Sequence, residues 1–259
     1  MGVLNVTPDS FSDGGRFDTY ESAVAHGRAM VAQGADIVDV GGESSRPGAE
    51  PVAVETELAR VLPVVEALAP HTRVSVDTVK PEVARAALAA GATLLNDISA
   101  SLWEVAADAG AGWIAMHMQG TPRTMQDDPH YGDVVAEVTG FLLERAAAAR
   151  AAGVREVWID PGIGFGKTST HNLALLAHLA DLVGAAGEAG CAGVVVGTSR
   201  KRFLGVLASG DEARPAPVAE RAAGSLATAA WAMAAGAGMV RVHDVSATSQ
   251  TARLYGPAQ

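Results

Sequence analysis

The residues best equipped for chemistry in this 259-residue chain stand at the ends of short apolar runs. GVLN ends in Asn5, ADIVD in Asp39, RVSVD in Asp77, and TLLND in Asn96 and Asp97. GWIAMH ends in His117, EVWID in Asp160, AGVVVGTSR in Ser199 and Arg200, and GMVRVH in Arg241 and His243. An acid and an amide facing one cavity, as Asp77 and Asn96 would, can recognise a heterocycle carrying amino and ring N–H donors. Carboxylates at such a place could equally bind a metal, so these two alone leave both chemistries open. The segment GTSRKRFLG gathers Arg200, Lys201 and Arg202 at a helix start. Cations there oppose the helix dipole, a conflict relieved by an anion that the helix terminus and the cations share. In RVHD, Arg241 and His243 alternate on one strand and so share a face, which makes a phosphate cradle.

The elements that position these groups follow a repeat of strand, loop and helix. The apolar runs are Val/Ile-rich without clear alternation, which marks parallel strands buried on both faces. Helical spacing covers residues 21–33, 54–68, 81–90, 134–152, 172–182, 219–235 and 246–254, and Pro81 holds a favoured first helical position. Eight units in 259 residues give about 32 each, which fits an α/β chain folded as a (β/α)8 TIM barrel of roughly 250 residues. A doubly wound sheet would gather its ligand at one switch point, whereas here nearly every strand end is polar. The expectation is a single domain over residues 1–259, with its site at the C-terminal ends of the strands.

Composition narrows the partners. Hydrophobic residues make up 49% and charged residues 19%, enough apolar surface for a sizeable core. A net charge of -10 argues against nucleic acid or an anionic membrane as partner. No apolar run reaches transmembrane length, and the N-terminus lacks a signal-peptide pattern. It opens almost directly on a strand, so a start slightly upstream is expected. Cys191 is the one cysteine, which rules out a disulfide within the chain and points to a reduced, cytoplasmic setting.

The loops add detail. LNVTPDSFSDGG carries Phe11 among turn formers, and an aromatic on such a loop suggests a lid over a flat ligand. In DVGGESSRPGAE, Gly41 and Gly42 permit close backbone approach, while Ser45 and Arg46 suit an anion. DPGIGFGKT superficially resembles two nucleotide motifs. A P-loop needs four residues before Gly-Lys-Thr; from Gly162 there are three, and the glycines at 162, 164 and 166 miss the dinucleotide spacing too. The segment instead sets Asp160 at a strand tip and Phe165 in a Gly-rich loop. His117 reads as structural, with Met116 and Met118 as an apolar wall. His26, His71, His130, His171 and His178 show no evident partners and receive no catalytic role. Neither a serine-nucleophile elbow nor a zinc-type cluster is present.

Taken in order, LNVTPDSFSDGG, GGESSRPG, SVDT, NDIS, MHMQG, DPGIGFGKT, GTSRKRFLG and RVHD resemble the signatures of the dihydropteroate synthase family, from Gly2 to about Thr248. The resemblance implies a folate-pathway transferase, the target of sulfonamides. Dihydropterin pyrophosphate would lose pyrophosphate with Mg²⁺ assistance, and the amine of p-aminobenzoate would attack the exposed methylene carbon. By similarity Asp77, Asn96, Met116, Asp160 and Lys201 hold the pterin. Asn5, Ser45, Arg46, Arg241 and His243 hold pyrophosphate, with Asn5 near the metal. Phe11, Ser45, Arg46, Pro47, Phe165 and Ser199 shape the p-aminobenzoate site, and Asp77, Lys201, Arg241 and His243 carry the catalytic roles. The family also implies a homodimer. The chain departs from the pattern in a shortened stretch from Ser99 to Val105 and at its N-terminus. A pterin-binding methyltransferase barrel is the nearest rival, but it needs neither the Arg241–His243 cradle nor SSRPG. A non-catalytic paralogue would lose one of Asn5, Asp77, Lys201 or Arg241, and all four are present. Asp39 has no assigned ligand and is expected only to brace the loop that carries Ser45 and Arg46.

Overall fold

The computed structural model describes residues 1–7, 16–45 and 48–255. Its strands are β1 (Gly2–Asn5), β2 (Ile37–Gly41), β3 (Arg73–Asp77), β4 (Leu94–Asp97), β5 (Gly112–Met116), β6 (Val157–Asp160), β7 (Gly193–Val196) and β8 (Met239–Val240). They pair in parallel in chain order, β1 to β8. The ring closes through Val242, just past β8, which bridges Gly2. The Val3 amide donates to the Val242 carbonyl at 2.9 Å, and the Val242 amide donates to the Met1 carbonyl at 3.0 Å. The result is the (β/α)8 barrel that the strand ends predict.

Alternation along each strand divides the apolar residues into two cores. Met1, Ile37, Leu94, Ile114 and Val195 fill the barrel, with Trp158 and Met239 packed on them. Leu4, Val38, Val40, Val74, Val76, Leu95, Trp113 and Ile159 face outward and meet the helices. At the barrel floor Arg73 grips Glu156 with two hydrogen bonds, 2.9 and 2.5 Å, and the Trp158 indole donates to the same carboxylate at 2.8 Å. The floor is thus closed and its charges are paired, which leaves the opposite end as the mouth.

The helices are α1 (Arg16–Ala32), α2 (Val54–Leu68), α3 (Pro81–Ala89), α4 (Trp103–Ala109), α5 (Val134–Ala151), α6 (Ser169–Ala177), α7 (Leu179–Glu188), α8 (Arg202–Ser209), α9 (Ala222–Ala234) and α10 (Val245–Ala252). Helix α2 buries Glu57, Val61, Val64, Val65 and Leu68, a stripe at helical spacing. Asp133 caps α5 by accepting from the Val135 and Ala136 amides. Three expectations need correction. The single helix over 172–182 is two helices, broken at His178, whose φ of -100° and ψ of 20° leave the helical region. The stretch over 219–235 opens as a 3-10 turn, Val218–Arg221, before α9 begins. Helix α4 was not foreseen, because seven residues are too few to show a period.

Asp97 explains α4. Neighbouring strand residues point to opposite sides, so with Asn96 facing inward Asp97 faces outward. Its carboxylate accepts from the Ser101 and Leu102 amides at 2.7 Å each and from the Trp113 indole at 3.2 Å. It therefore organises the start of α4 and leaves the mouth to Asn96.

Candidate active site

The strand register sets Asn5, Gly41, Asp77 and Asn96 side by side across β1 to β4. Met116 and Asp160 are likewise paired across β5 and β6. Gly41 adds no side chain to this row. A Cβ there would lie 3.5 Å from the Asp77 Cβ and 3.8 Å from the Asn5 amide oxygen, so Asn5 and Asp77 flank an open notch.

Arg241 crosses the mouth from the last strand. Its Nε donates to Asp39 Oδ2 at 2.6 Å and its Nη2 donates to Asp77 Oδ2 at 2.7 Å. Asp39 Oδ2 also accepts from Asn96 Nδ2 at 3.0 Å. Asp39 is therefore no mere brace for the loop after β2, as the sequence led one to expect; it is fully buried and ties β2 to β4 and β8. Burial raises the Asp77 pKa above the ordinary carboxylate range, opposed by Arg241 and reinforced by the charge of Asp39. The same two carboxylates outweigh burial at Arg241 and hold its guanidinium more firmly protonated than usual.

The second half of the mouth is built by the loops after β6 and β7. Gly162 and Gly166 take φ of 65° and 61°, a region that favours glycine. A Cβ on Gly162 would collide with the His117 carbonyl and one on Gly166 with the Gln119 carbonyl, so the loop lies directly on the end of β5. Asp160 accepts from the Gly162 amide at 2.7 Å. Burial raises its pKa, against the pull of Lys201. Lys201 donates to the Ile163 carbonyl, and its ammonium lies 4.5 Å from the Phe165 ring centroid, a cation–π contact. Burial lowers the Lys201 pKa to about 8, with Asp160 opposing the shift.

Ser199 and His243 meet. His243 Nδ1 lies 3.0 Å from Ser199 Oγ, which also accepts from the His243 amide at 3.2 Å. The resemblance gave them to different substrates, but they share one corner. Strand β8 stops at Val240, so Arg241 and His243 lie just beyond the regular strand on which the sequence set them. Ser45 is half-buried in the described part of the loop after β2. Phe11, Arg46 and Pro47 lie outside the described residues.

Lys167 escaped the sequence reading. It is 3% exposed, and its ammonium donates to the Phe165 and His117 carbonyls at 3.0 and 3.3 Å and to His117 Nδ1 at 2.9 Å. A ring nitrogen that accepts requires the Nε2–H tautomer of His117. Burial and the Lys167 charge push the His117 pKa down to about 3, so it is a neutral structural histidine. Burial also lowers the Lys167 pKa to about 7, with Asp160 opposing. The only sequence signal was a lysine among glycines in an acidic chain, which says nothing of burial. Two other histidines do have partners, contrary to the sequence reading: His171 completes a capping box with Thr168, and His178 lies 2.9 Å from Asp181.

Loop contacts close the ring of the mouth. Gln126 and Tyr131, from the segment after β5, donate to the Gly164 and Gly166 carbonyls at 2.8 Å each. The Gly48 amide donates to the Pro122 carbonyl at 3.1 Å, tying the loop after β2 to the same segment. Among the described residues no group of three or more His, Cys, Asp or Glu is arranged to hold a metal. No described helix is long and apolar enough to cross a membrane.

Comparison with known proteins agrees with this geometry. The family model of pterin binding enzymes matches residues 1–243. The dihydropteroate synthase of Escherichia coli (strain K12) is 46% identical over 262 residues, covering 98% of this chain and 89% of the relative. A Xanthomonas albilineans dihydropteroate synthase solved with 4-aminobenzoic acid superposes with a TM-score of 0.88 at 48% identity, over 98% of this chain and 90% of the other. The Yersinia pestis dihydropteroate synthase in a sulfonamide complex gives a TM-score of 0.88 at 41% identity, over 98% and 92%. Matched over nearly its whole length in sequence and in fold, the chain belongs to the dihydropteroate synthase family of pterin-binding enzymes.

Proposed function

We propose that this barrel performs its family's reaction: it condenses 6-hydroxymethyl-7,8-dihydropterin pyrophosphate with p-aminobenzoate, giving 7,8-dihydropteroate and pyrophosphate. The observation that carries the site assignment is the convergence of acceptors and one cation from separate strand ends. Asp77, Asn96 and Asp160 present acceptors to amino and ring N–H groups, and Lys201 presents a donor to a carbonyl. Met116, buried beside Asp160, supplies an apolar wall.

Arg241 uses Nε and Nη2 on Asp39 and Asp77, which leaves the two Nη1 hydrogens for the leaving group. His243 and Ser199 stand at the same end of the barrel, and Asn5 and Ser45 border it. Two phosphates arriving there meet cations in a partly dry site, where charge developing on departure is best stabilised. The donor set fits a magnesium ion that arrives with the substrate. Mg²⁺ typically takes one or two protein oxygens plus phosphate oxygens and water, and the Asn5 amide oxygen beside the Gly41 notch offers one. When bound, the ion would neutralise charge on the pyrophosphate.

The aromatic amine is a weak nucleophile, so the methylene C–O bond breaks first and its electron pair leaves with pyrophosphate. Asp77 flanks the electron-poor pterin that results. The amine nitrogen then bonds to the methylene carbon and gives up its proton. Phe165 and Ser199 border the place that receives p-aminobenzoate and keep water from competing; the family resemblance gives Phe11, Arg46 and Pro47 to the same substrate.

The protein acts as one domain over residues 1–259, in the cytoplasm and without nucleic acid or membrane partners. It works as a homodimer through α9 and α10. Helix α9 is apolar yet buries only Ala229 and Ala232, and Trp231 and Val218 are 55% and 52% exposed. Beside Val218, a cavity of about 500 Å³ between α9 and α10 is lined by Ala222, Leu226 and Ala247 together with Arg200 and Asp244, the mixed apolar and charged surface that an interface can cover.

The test is pyrophosphate release from dihydropterin pyrophosphate, with and without p-aminobenzoate and with a sulfonamide. Amine-dependent dihydropteroate formation that the sulfonamide inhibits is the expected result. Trapping a dehydrated pterin before amine is added supports departure ahead of attack; pyrophosphate release strictly dependent on amine counts against that order.

A further inference from the structure

Asp39 has no exposed surface and therefore cannot touch a substrate. It lies one layer below the row of Asn5, Asp77 and Asn96, paired in register with Val3 and Ser75. A carboxylate sunk into a barrel is costly unless its neighbours compensate it. The compensation here comes from two side chains already placed at the mouth, through the single oxygen Oδ2.

Those two bonds have a consequence for hydrogen-bond polarity. An asparagine amide has nearly the same shape either way round, with an acceptor at one end and donors at the other. An ionised carboxylate only accepts, so Asp39 can be satisfied only by the Nδ2 end of Asn96. The Oδ1 end is then the atom that a ligand meets. The same logic applies to Arg241. With Nε on Asp39 and Nη2 on Asp77, its guanidinium plane is fixed and Nη1 is the edge left for an anion.

We infer that Asp39 is a positioning residue that sets the polarity of the mouth, turning Asn96 to present an acceptor to the pterin and Arg241 to present Nη1 to its pyrophosphate. This rests on the pterin reading of the site. It makes a buried residue, which never meets the ligand, a determinant of which donor and acceptor pattern the pocket accepts.

The test is calorimetric titration of the full-length protein with 6-hydroxymethylpterin, beside the steady-state KM for each substrate. Asp39→Asn keeps an oxygen where Oδ2 sits and should stay within about threefold of the parent. Asp39→Leu, of similar size, lets the Asn96 amide turn and should weaken pterin binding about tenfold. The KM for p-aminobenzoate should move less than about twofold. Asn96→Asp alone sets two acceptors against each other and should bind poorly. Asp39→Val, smaller and equally unable to accept, should weaken pterin binding to a similar degree, and it decides the matter if Asp39→Leu does not fold. A folded Asp39→Leu or Asp39→Val that binds like the parent overturns the inference alone. A parent that binds no pterin overturns the site reading and the inference with it.

Discussion

Lys80 and Lys167 are both drawn in against the barrel, yet their surroundings have opposite character. Lys80, at the start of α3, places its ammonium 2.5 Å from both Glu43 and Glu57. Burial alone would lower its pKa, but the hydrogen bonds and charges of the two carboxylates win and raise it. Lys167 is more deeply buried and has two carbonyls and a ring nitrogen for partners. Nothing there fully balances its charge, and burial takes its pKa down to about 7. Lys201 belongs with Lys167, since its hydrogen bond is to a carbonyl and its other neighbour is an aromatic face.

The difference separates two kinds of region. On the side of β2 and β3, charges are matched by the protein itself. Glu43 also accepts from the Val52 amide at 2.8 Å, so Lys80, Glu43 and Glu57 pin both stems of the loop that bears Ser45 to helix α2. On the side of β6 and β7, cations make their hydrogen bonds to carbonyls and a ring nitrogen and feel Asp160 only through space. A cation whose direct contacts are dipoles, and whose nearest carboxylate Asp160 does not outweigh burial, still has much to gain from an anion or a polarised carbonyl. The Lys80 side reads as scaffold and the Lys201 side as the surface that meets substrate.

The largest effect expected from this contrast is on turnover. Lys201→Ala should lower kcat/KM by roughly 10²–10³-fold, the cost of deleting an electrostatic stabiliser from a partly dry site, with an unchanged melting curve. Near-normal turnover would return Lys201 to the scaffold class.

Lys80→Met should do the reverse. It leaves Glu57, with a side chain 1% exposed, without its cation. The expected loss of stability is roughly 2–3 kcal/mol, below the full value for a broken buried pair because Lys80 and Glu43 are partly exposed. Urea denaturation measures it, and Lys80→Met combined with Glu57→Met should recover most of the loss. A single variant as stable as the parent would show that the pairs contribute nothing.

Arg241 sits between the classes, since it has two carboxylate partners and an unused edge. Arg241→Ala should weaken pyrophosphate binding by roughly 1.5–2 kcal/mol, one charge-assisted hydrogen bond. Calorimetric titration with pyrophosphate checks this, and unchanged affinity would make Arg241 a purely internal tie between Asp39 and Asp77.

The sequence made one of these regions far more legible than the other. Strand ends were readable because an apolar run stopping at Asp77 or Asp160 is a local pattern, and parallel register does the rest. The pairing of Asp77 with Asn96 followed from neighbouring strand ends, whereas Asn5 joins them only in the register of the folded barrel. Pairings between distant segments were not readable. Asp39 looked idle because its partners are 57 and 202 residues away. Lys167 was hidden because spacing excluded a P-loop but gave no reason to bury the lysine. Asp97 stood beside Asn96 in the same run, and only the alternation of faces sends it outward to start α4. The helix break at His178 and the change from 3-10 turn to α9 at Arg221 were invisible because the apolar spacing runs through both.

The smallest effect is the most direct measure of the two lysine environments. A lysine whose folded pKa is about 7 binds fewer protons when folded than when unfolded at pH between about 7 and 10.4. Its contribution to stability is therefore lost as pH falls through 7 and grows as pH rises toward the unfolded value. The slope cannot exceed about 1.4 kcal/mol per pH unit for one proton. Lys80, with its pKa raised, has the opposite sign: its contribution is complete below the unfolded value and fades only above it. Urea midpoints from pH 7 to pH 9.5, with Lys167→Met against the parent, isolate the first effect. The parent should gain stability over that range relative to the variant. Parallel pH profiles would mean that Lys167 keeps its proton when folded, and that the His117 ring and two carbonyls balance its charge as fully as Glu43 and Glu57 balance Lys80.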